Sequence, residues 1–457
     1  MPATQQFDVI VIGGGSGLTA AYYAVQEGRS VALITDRPNA LGGTCVNFGC
    51  IPTKTLIQSA DVMCTVQNAA DFGIMLDQAS IRVDFPRIMR NMRNARAANA
   101  ASVRQWVDEA MTPIYSRVRF VGDKLLETED GRRLTGDKLF IAAGARAAVP
   151  PIDGIEAIDY WTNETVLELE QQPGSLVIIG GGYIGAELGH FFSALGTDVT
   201  VVNGSPKLLA EDDDVRELFT REFGKQVKLV TGQAVRVHTK GNYKTVAVES
   251  DSGNETTVTA EQILLATGRQ PNSDELALDE TGVRTGDRGA VQVDETLRTD
   301  HPDIYAYGDI IGQAMFKHTS SYEGELAWRN SQGASEAVNY RANPHAVFSH
   351  PQIGAVGLRE QDCQEQGLDY DTARVDYADV AKGKILGSPP GFAKLIVERG
   401  SDRILGFHMI GPDAANLVHE VVVAMNSGDG TASQIRNAIH THPSLTELVA
   451  AVFGAAA

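Results

Sequence analysis

Two cysteines lie close together near the start of the chain, in the stretch GGTCVNFGCIPTK at residues 42–54. Cys45 and Cys50 are two of only four cysteines among the 457 residues. A pair this close can form a structural disulfide, half of a metal site or a redox couple. Pro52 is typical of a first helical turn and predicts that Cys50 lies near a helix N-terminus, where a thiolate is stabilised and its pKa falls. This position favours the redox couple.

The two alternatives find little support elsewhere in the sequence. A zinc site needs about four ligands, and no second cysteine pair or nearby histidine cluster supplies them. A structural disulfide is disfavoured because the sequence indicates a reducing compartment. The other cysteines, Cys64 and Cys363, have no partner motif and are expected to be small buried or surface residues. No metal site is predicted.

Near the other end of the chain, the stretch HTHPSLTE carries His440, His442 and Glu447. A histidine near a glutamate is often only a hydrogen-bonded structural residue, and this alternative stays open from the residues alone. The cysteine pair gives the motif a chemical partner, because a dithiol couple needs a proton donor and acceptor that work near neutral pH. The acidic run EDDD at residues 211–214 has no such partner and is predicted to be a solvated face.

Two glycine-rich turns each follow an apolar strand and precede a helix, which predicts two βαβ units. In the first, Gly13 and Gly15 allow the tight turn and the close approach of a phosphate. Leu18 stands where a third glycine is expected, and neighbouring Gly17 can relieve the crowding. Asp36 ends the second strand of this unit, where a carboxylate can accept hydrogen bonds from a ribose.

The second glycine turn has the full spacing, with Gly180, Gly182 and Gly185. Its second strand ends at Asn203, where a ribose-binding acid is expected, and Gly204 follows. Because neither a carboxylate for a ribose nor an arginine for a 2′-phosphate stands there, the choice between NADH and NADPH stays open.

We predict an α/β protein with two Rossmann-like dinucleotide-binding domains and a C-terminal α+β domain. A helix is predicted over residues 321–340, and a strand pair with a polar turn over FAKLIVERGSDRILGFHMIG. Further helices are predicted in AANLVHEVVVAMNSG and in PSLTELVAAVF, the second with one buried apolar face. The predicted domain bounds are residues 1–150, 151–272, 273–342 and 343–457.

Composition narrows the class of function. Lys and Arg total 39 against 58 Asp and Glu, so the net charge of −19 repels nucleic acid and anionic membrane surfaces. The most apolar stretches are interrupted by glycine before they reach the length of a membrane span, and the N-terminus lacks the basic region of a secretory signal. These features predict a cytoplasmic protein that acts on small molecules.

Several segments occur in the order known from one family: GGTCVNFGCIPTK, the two dinucleotide units, ATGRQPN at residues 266–272, IYAYGD at residues 304–309 and HTHPSLTE. Together they resemble the class I flavoprotein disulfide oxidoreductases, which include dihydrolipoamide dehydrogenase, glutathione reductase, mercuric reductase and mycothione reductase. The resemblance covers essentially the whole chain. It implies FAD and NADH or NADPH as cofactors, and it implies that the four predicted domains bind FAD, bind the nicotinamide nucleotide, complete the FAD site and form a dimer.

The resemblance also implies the roles of the chemical groups. Cys45 and Cys50 would form the redox-active disulfide, with Cys50 facing the flavin and Cys45 exchanging with the substrate. His442 and Glu447 would manage the protons, and in a homodimer they would serve the disulfide of the other subunit.

Other positions match the cofactor contacts of the family. Lys54 and Glu187 match an ion pair near the flavin, Tyr183 resembles a gate over the flavin, and Asp309 would hold the ribityl chain. The remaining positions to which the resemblance gives cofactor contacts are Gly43, Thr44, Gly144, Gly268, Met315, Phe316 and His318, of which the last three open a helix that points at the flavin pyrimidine ring.

The substrate has a leading candidate and a second one. HTHPSLTE and CVNFGCIPTK resemble dihydrolipoamide dehydrogenases, which favours dihydrolipoamide. Leu18 and the stretch DYADVAKGKILGSPPGFAKLIVERG are similar to mycothione reductase, so a reductase of low-molecular-weight disulfides such as mycothione or bis-γ-glutamylcystine is the second candidate. A mercuric reductase is less favoured because the chain ends FGAAA without the usual cysteine pair. From another class, a redox-inactive scaffold with a flavin-binding fold conflicts with the intact cysteine and histidine motifs.

Overall fold

The structure is a computed structural model that describes residues 3–36 and 38–456, apart from the side chain of Gln78. The chain divides into two compact units. Unit 1 comprises three segments and so does unit 2, and the chain passes between them several times. The segments of unit 1 are Met1–Thr55, Met89–Ala148 and Gly268–Asn339, and those of unit 2 are Leu56–Ile88, Val149–Thr267 and Tyr340–Ala457.

The strands within the described residues follow one another from the N-terminal to the C-terminal part of the chain. They are β1 (Gln5–Ile12), β2 (Val31–Thr35), β3 (Thr112–Tyr115), β4 (Val118–Gly122), β5 (Leu125–Thr128), β6 (Arg133–Ile141), β7 (Ala145–Ala147), β8 (Ser175–Ile179), β9 (Asp198–Asn203), β10 (Lys228–Thr231), β11 (Gln233–Lys240), β12 (Tyr243–Glu249), β13 (Glu255–Ala260), β14 (Gln262–Leu265), β15 (Arg269–Pro271), β16 (Ile304–Ala306), β17 (Pro344–Val347), β18 (Ile353–Gly357), β19 (Tyr370–Asp376), β20 (Phe392–Glu398) and β21 (Ile404–Ile410).

The α-helices alternate with these strands, and short 3₁₀ turns connect several elements. The helices are α1 (Leu18–Gln26), α2 (Gly43–Asn47), α3 (Cys50–Gln67), α4 (Phe85–Ala110), α5 (Tyr183–Ala194), α6 (Asp213–Phe223), α7 (Lys317–Ser331), α8 (Glu360–Glu365), α9 (Ala381–Ile385), α10 (Ala414–Asn426), α11 (Ser433–Arg436) and α12 (Thr446–Ala455). No helix of the described residues is long and apolar enough to cross a membrane.

Unit 1 is built on a seven-stranded sheet in the order β3-β2-β1-β6-β5-β4, with β16 also paired to β6. The strands β3, β2, β1, β6 and β16 are parallel. Residues 9–12 and 31–34 are buried, as expected for a parallel sheet with both faces covered. Three fully buried alanines at positions 20, 21 and 24 allow α1 to pack closely in this core.

Unit 2 contains a second parallel sheet in the order β10-β9-β8-β14, with α5 between β8 and β9. A three-stranded antiparallel sheet, β11-β12-β13, follows it in the chain. Its apolar side chains share a core with β8 and β14. The two βαβ units predicted from the glycine turns are confirmed, because each turn joins a buried parallel strand to a helix.

The C-terminal part of unit 2 is an α+β fold around the antiparallel sheet β17-β18-β21-β20-β19. The predicted strand pair is β20 and β21, and the predicted helices are α10 and α12. The apolar face predicted for α12 is buried in the core of this part of the chain, where the helix packs against β19 and β20. The residues of that face are Leu445, Leu448, Val449 and Val452.

The helix predicted over residues 321–340 is shorter and begins earlier than expected, because α7 spans Lys317–Ser331. Gly333 and Ser335 have φ angles of 99° and 72°, which a right-handed helix cannot contain. The side-chain amide of Asn330 donates hydrogen bonds of 2.9 Å to the carbonyl groups of Thr296 and Glu336, and so stabilises the chain after the helix.

Candidate active site

The two cysteines lie on consecutive helices, α2 and α3, and both residues belong to unit 1. Cys45 is in α2 and is half-buried, and Cys50 is the exposed first residue of α3, as Pro52 predicts. The Cys45 thiol is hydrogen-bonded to Cys50, and this bond, followed by burial, raises the pKa of Cys45. The Cys45 thiol therefore holds its proton more tightly than a free thiol, whereas Cys50 stands at a helix N-terminus, a position that stabilises a thiolate.

Two lysines surround this pair. The positive charges of Lys317, at the start of α7, and Lys54, one turn after Cys50 on α3, act against the rise in the pKa of Cys45. Lys317 Nζ donates a hydrogen bond of 2.5 Å to Ser321 Oγ, which fixes its side chain along α7. The two lysine charges therefore favour a thiolate at this pair.

The first glycine turn packs directly against the helix of Cys45. Gly43, with a φ angle of 63°, starts α2, and a Cβ atom there would lie 2.5 Å from Gly15 Cα. A Cβ atom on Gly13 would lie 2.1 Å from the carbonyl oxygen of Ala142. Only glycine allows these approaches.

Gly17 explains why Leu18 is tolerated at the third position of the motif. A Cβ atom on Gly17 would lie 2.1 Å from the carbonyl oxygen of Gly13. In the second turn the matching distance, from a Cβ on Gly185 to the carbonyl oxygen of Gly180, is also 2.1 Å. Gly17 therefore takes the close-packing role that spacing alone gives to position 18.

A half-buried acid and a half-buried arginine form an ion pair in unit 1. Asp309 is in the 3₁₀ turn after β16, and its Oδ2 lies 3.3 Å from Arg269 Nε. Burial raises the pKa of Asp309, and Arg269 opposes this rise. Arg269 Nη2 donates to Thr44 Oγ1 at 3.3 Å and also to the carbonyl oxygen of Ala145. One guanidinium thus joins Asp309 to the residue before Cys45.

Two further predicted positions flank the same segments. Gly144 and Gly268 have φ angles of 69° and 104°, and a Cβ atom on either would meet no atom within 4 Å. They stand at the ends of the strand pair formed by β7 and β15. Asp36 directly follows β2 and is exposed. These positions border open space beside the glycine turn.

Helix α7 begins at Lys317, near residues 315–318, where the family resemblance places a helix start. Phe316 is its N-cap, no side chain caps its first turn, and the rings of Phe316 and His318 stack with their centroids 5.6 Å apart. Sequence reasoning missed Glu323, which is fully buried and accepts a hydrogen bond of 2.7 Å from Gly308 N. No sequence signal singled it out, because the buried face of α7 also carries Thr319, Ser320 and Asn330, and the role of Glu323 is to hold the turn that contains Asp309.

The second glycine turn, in unit 2, leaves an open cradle. Gly180 has a φ angle of 114°, and a Cβ atom on Gly182 would meet nothing within 4 Å. Asn203 turns towards this loop, because its Oδ1 accepts a hydrogen bond of 3.1 Å from Gly181 N and its Nδ2 donates one of 2.7 Å to Ser205 O. Tyr183 begins α5 immediately after the turn.

Lys54 and Glu187 lie in different units, so their pairing stays a prediction. Within unit 2, Glu187 is buried on α5 and its Oε1 accepts a hydrogen bond of 3.2 Å from Phe348 N. This contact joins α5 to the segment that follows β17.

His442 and Glu447 form the predicted pair. His442 Nδ1 lies 2.7 Å from Glu447 Oε1, and Ser444 N donates to Glu447 Oε2 at 3.1 Å. The hydrogen bond from His442, followed by that from Ser444, lowers the pKa of Glu447. The imidazole is 69% exposed, and nearby Ile439 is fully exposed. His440 makes a separate 2.6 Å contact with Glu420, as the structural alternative for this motif predicts.

The prediction that residues 211–214 form a solvated face is wrong for Glu211 and Asp212, which are fully buried. Lys394, buried in β20, contacts Asp212 at 3.0 Å and Asp214 at 2.7 Å. It also contacts Glu360 at 2.6 Å. The missed signal was Lys394 itself, because a lysine within the apolar stretch FAKLIVE must find acidic partners when that strand is buried.

Replacing this lysine is expected to destabilise the protein. Lys394→Met would leave Asp212 buried without its cation, and the free energy of unfolding should fall by about 3–5 kcal/mol. Urea denaturation of the purified protein measures the change. The matched control is Lys228→Met, which removes the exposed 2.6 Å pair with Asp198 and should cost less than about 1 kcal/mol. Equal effects in both variants would contradict the assigned role.

The sequence and the fold match a known family. Residues 7–324 match the model of the pyridine nucleotide-disulphide oxidoreductases, and residues 343–452 match the dimerisation domain of the same family. The chain therefore belongs to the pyridine nucleotide-disulphide oxidoreductase family, which consists of flavoprotein enzymes that use FAD and NADH or NADPH. This confirms the resemblance and the predicted α/β fold class.

Individual relatives differ in their substrates. The chain is 33% identical over 462 residues to a dihydrolipoyl dehydrogenase of Chlamydia pneumoniae, covering 97% of this chain and 96% of the relative. It is 35% identical over 460 residues to a mycothione reductase of Mycobacterium tuberculosis, covering 97% and 98%. Among solved structures, a Cu(II) complex of the HOCl-induced flavoprotein disulfide reductase RclA from Escherichia coli superposes with a TM-score of 0.87 at 27% identity, covering 99% of each chain.

The residues of unit 1 fit FAD. The turn at Gly13 and Gly15 presents the start of α1, and Gly144 and Gly268 face open space into which a ligand can enter. Arg269 Nε is buried without a well-aligned hydrogen bond, and this is a polar group suited to a polar partner. Among the residues that the structure describes, no group of three or more His, Cys, Asp or Glu side chains is arranged to hold a metal ion.

Proposed function

We propose that this oxidoreductase exchanges electrons between NADH or NADPH and a small dithiol or disulfide, with dihydrolipoamide as the leading substrate. The observation that carries the proposal is the hydrogen bond between two thiols, that of Cys45 in α2 and that of Cys50 at the N-terminus of α3. FAD, when bound, would supply the two-electron exchange between the nicotinamide and this pair. Gly13, Gly15, Asp36 and Asp309 would hold it.

The cysteines act in two steps when a disulfide is reduced. The Cys45 thiolate attacks one sulfur of the substrate, forms a mixed disulfide and releases one thiolate, which takes a proton from His442. The Cys50 thiolate then attacks the Cys45 sulfur, forms the Cys45–Cys50 disulfide and releases the second thiolate, which takes a proton that His442 has received from solvent. The substrate gains two electrons and two protons. With dihydrolipoamide the same steps run in reverse.

The acid–base pair is part of this proposal. Because the pKa of Cys45 is raised, its thiol needs a base, and His442 held by Glu447 can accept and return the proton. The exposed His442 and Ile439 lie in the region that matches the family's dimerisation domain. We infer a homodimer in which His442 of each subunit serves the cysteines of the other.

Three further assignments complete the proposal. The four domains are those bounded by residues 1–150, 151–272, 273–342 and 343–457. Lys54 pairs with Glu187 near the flavin. A cytoplasmic location follows from the chemistry of a dithiol couple that must be kept reducible.

The contacts of Asn203 predict weak discrimination between NADH and NADPH. The side chain carries no charge that repels a 2′-phosphate, and its amide is hydrogen-bonded to Gly181 N in the glycine turn and to Ser205 O in the following loop. A site that lacks a charged hydrogen bond to the ribose or to the 2′-phosphate lacks about 1.5–3 kcal/mol of preference for one nucleotide over the other. Steady-state turnover with each nucleotide measures it. A preference beyond about a thousandfold, roughly 4 kcal/mol, would contradict this prediction.

A charged variant provides the control for the nucleotide prediction. Asn203→Asp keeps an acceptor for Gly181 N and adds the missing negative charge. Its preference should shift towards NADH by about tenfold or more, because a charged hydrogen bond to the ribose is gained and a 2′-phosphate is repelled.

Substrate turnover tests the leading substrate. Dihydrolipoamide, mycothione, bis-γ-glutamylcystine and glutathione disulfide should be compared with the purified holoenzyme under the same conditions. Mycothione is the second candidate because the mycothione reductase relative is as similar as the dihydrolipoyl dehydrogenase. If lipoamide is inert and mycothione turns over, the second candidate replaces the first.

Optical spectra test the redox role against the scaffold alternative. The purified protein should be yellow, and two-electron reduction should produce a long-wavelength absorbance from the Cys50 thiolate beside the flavin. A folded yellow protein that never develops this band, and reduces no disulfide, would leave only the scaffold.

A further inference from the structure

Tyr183 is held by two side chains that belong to other segments of unit 2. Its phenol donates a hydrogen bond of 2.8 Å to Glu211 Oε1, and Glu211 Oε2 lies 2.8 Å from His345 Nε2. The rings of Tyr183 and His345 stack with their centroids 5.9 Å apart and their planes 19° from parallel. The three side chains therefore form one cluster, with the glutamate bridging the other two.

The backbone around Glu211 is itself fixed. Its carbonyl oxygen accepts a hydrogen bond of 2.9 Å from Gln361 Nε2. The next residue, Asp212, contacts Lys394 Nζ at 3.0 Å and accepts a hydrogen bond of 3.1 Å from Glu360 N. Because these contacts come from α8 and β20, the loop before α6 is tied to the C-terminal sheet. The Glu211 carboxylate is therefore presented at a fixed position.

The cluster is charged although it is buried. Burial alone raises the pKa of Glu211, but the hydrogen bond and charge of His345, the hydrogen bond of Tyr183 and the charge of His408 together lower it. Burial and the neighbouring Glu211 raise the pKa of Tyr183, so the phenol keeps its proton and remains a donor. A buried carboxylate with two such partners is costly to leave unpaired.

The position of Tyr183 at the start of α5 connects this cluster with nucleotide binding. Tyr183 is the first residue of α5, directly after the turn that contains Gly180 and Gly182. In a dinucleotide-binding unit the pyrophosphate lies at the N-terminus of this helix. Side chains of the first helical turn therefore border the bound nucleotide, and the position of the Tyr183 ring affects how it binds.

We propose that Glu211 and His345 are positioning residues for nicotinamide nucleotide binding, which they assist by holding the Tyr183 ring in one place before the nucleotide arrives. The inference rests on the proposed function, since it concerns the nicotinamide half of that reaction. A ring that is already ordered does not have to be ordered on binding, so the free protein is preorganised. Neither residue is required for disulfide exchange.

The first test separates the two halves of the reaction. Tyr183→Phe removes only the hydroxyl group, and His345→Gln removes the stacked ring, so both should fold. We expect the Kd of the oxidised holoenzyme for NAD⁺ or NADP⁺ to rise about tenfold in each, because a hydrogen bond to a charged group is lost. Reoxidation of the dithionite-reduced holoenzyme by the disulfide substrate should stay within about twofold of wild type.

Two glutamate variants test the charge. Glu211→Gln keeps an acceptor for the Tyr183 hydroxyl, so it should retain more nucleotide affinity than Glu211→Ala. The matched control is His301→Gln, which removes a histidine contact of 2.9 Å with Asp123 in unit 1 and should leave the Kd unchanged. If Glu211 only stabilised the fold, Glu211→Gln and Glu211→Ala would bind the nucleotide with the same affinity.

The outcomes distinguish this inference from the proposed function. Unchanged or tighter nucleotide binding in Tyr183→Phe and His345→Gln would overturn the inference, because the cluster would then be neutral or opposed to binding. An equal loss in both half-reactions would also overturn it and indicate a general structural role. A wild-type holoenzyme that NADH and NADPH do not reduce would refute the proposed function instead.

Discussion

A Cys45→Ser variant is expected to bind FAD and to accept electrons from NADH or NADPH, yet to lose disulfide turnover by about 10⁴-fold or more, because a serine hydroxyl cannot form the mixed disulfide. Cys45 follows the helix start that packs on the glycine turn, and its thiol is hydrogen-bonded to Cys50. Serine is close to cysteine in size, so the replacement removes the attacking sulfur with little change of volume. Stopped-flow bleaching of the flavin absorbance and steady-state disulfide turnover measure the two activities separately.

The control for this prediction is Cys64, on the helix that begins at Cys50. Cys64 is half-buried in α3, and burial, with a smaller effect of Asp61, raises its pKa to about 11. A thiol with so high a pKa is a good nucleophile only when a base takes its proton, and His442 is proposed to do so for Cys45 and not for Cys64. Cys64→Ser should therefore keep turnover within about twofold of wild type, and a loss comparable to that of Cys45→Ser would contradict the assignment of the redox pair.

A His442→Gln variant is expected to keep FAD and to accept electrons from the nicotinamide, but to lose disulfide turnover by about 10²–10⁴-fold. The raised pKa of Cys45 makes the loss of a base costly, and Glu447 cannot replace the imidazole because a carboxylate is a much weaker base than a thiolate. Turnover under saturating nucleotide measures the effect. His440→Gln is the matched control, since His440 contacts Glu420 instead, and it should lose little activity.

Mixing two inactive variants tests whether the site is shared between subunits. A heterodimer of His442→Gln and Cys50→Ser would contain one site with both wild-type parts if the histidine serves the other subunit. Activity should then appear after subunit exchange, at about half the wild-type value per heterodimer. No recovered activity in verified heterodimers would refute the composite site, whereas His442→Gln alone would still report on the acid–base role.

Local patterns in the sequence were sufficient to predict the parts of the fold that depend on neighbouring residues. The apolar strands before the two glycine turns, and Pro52 after Cys50, predict the parallel strands and the start of α3 correctly. Gly17 also fulfils its predicted role, because the distance to the carbonyl oxygen of Gly13 is set within a few residues. Such features need no knowledge of distant contacts.

Features that depend on distant segments were not predictable in the same way. Glu211 and Asp212 look like part of an exposed acidic run, and their burial depends on Lys394 and His345, which lie far along the chain. The end of α7 is set by Gly333 and Ser335 and by the contacts of Asn330, although the composition of residues 332–340 suits a helix. Tertiary contacts decide both cases.

The two-stranded pair of β7 and β15 has a consequence for how such a chain can change over evolutionary time. Ala148 N donates a hydrogen bond of 3.0 Å to Gly268 O, so the segment between them leaves and re-enters at adjacent atoms. The seven-stranded sheet of unit 1 contains no strand from residues 149–267. A change in the length of that segment would therefore leave the strand order of its host sheet unaltered, whereas its contacts with residues 340–457, such as that of Asp212 with Lys394, restrict what can replace it.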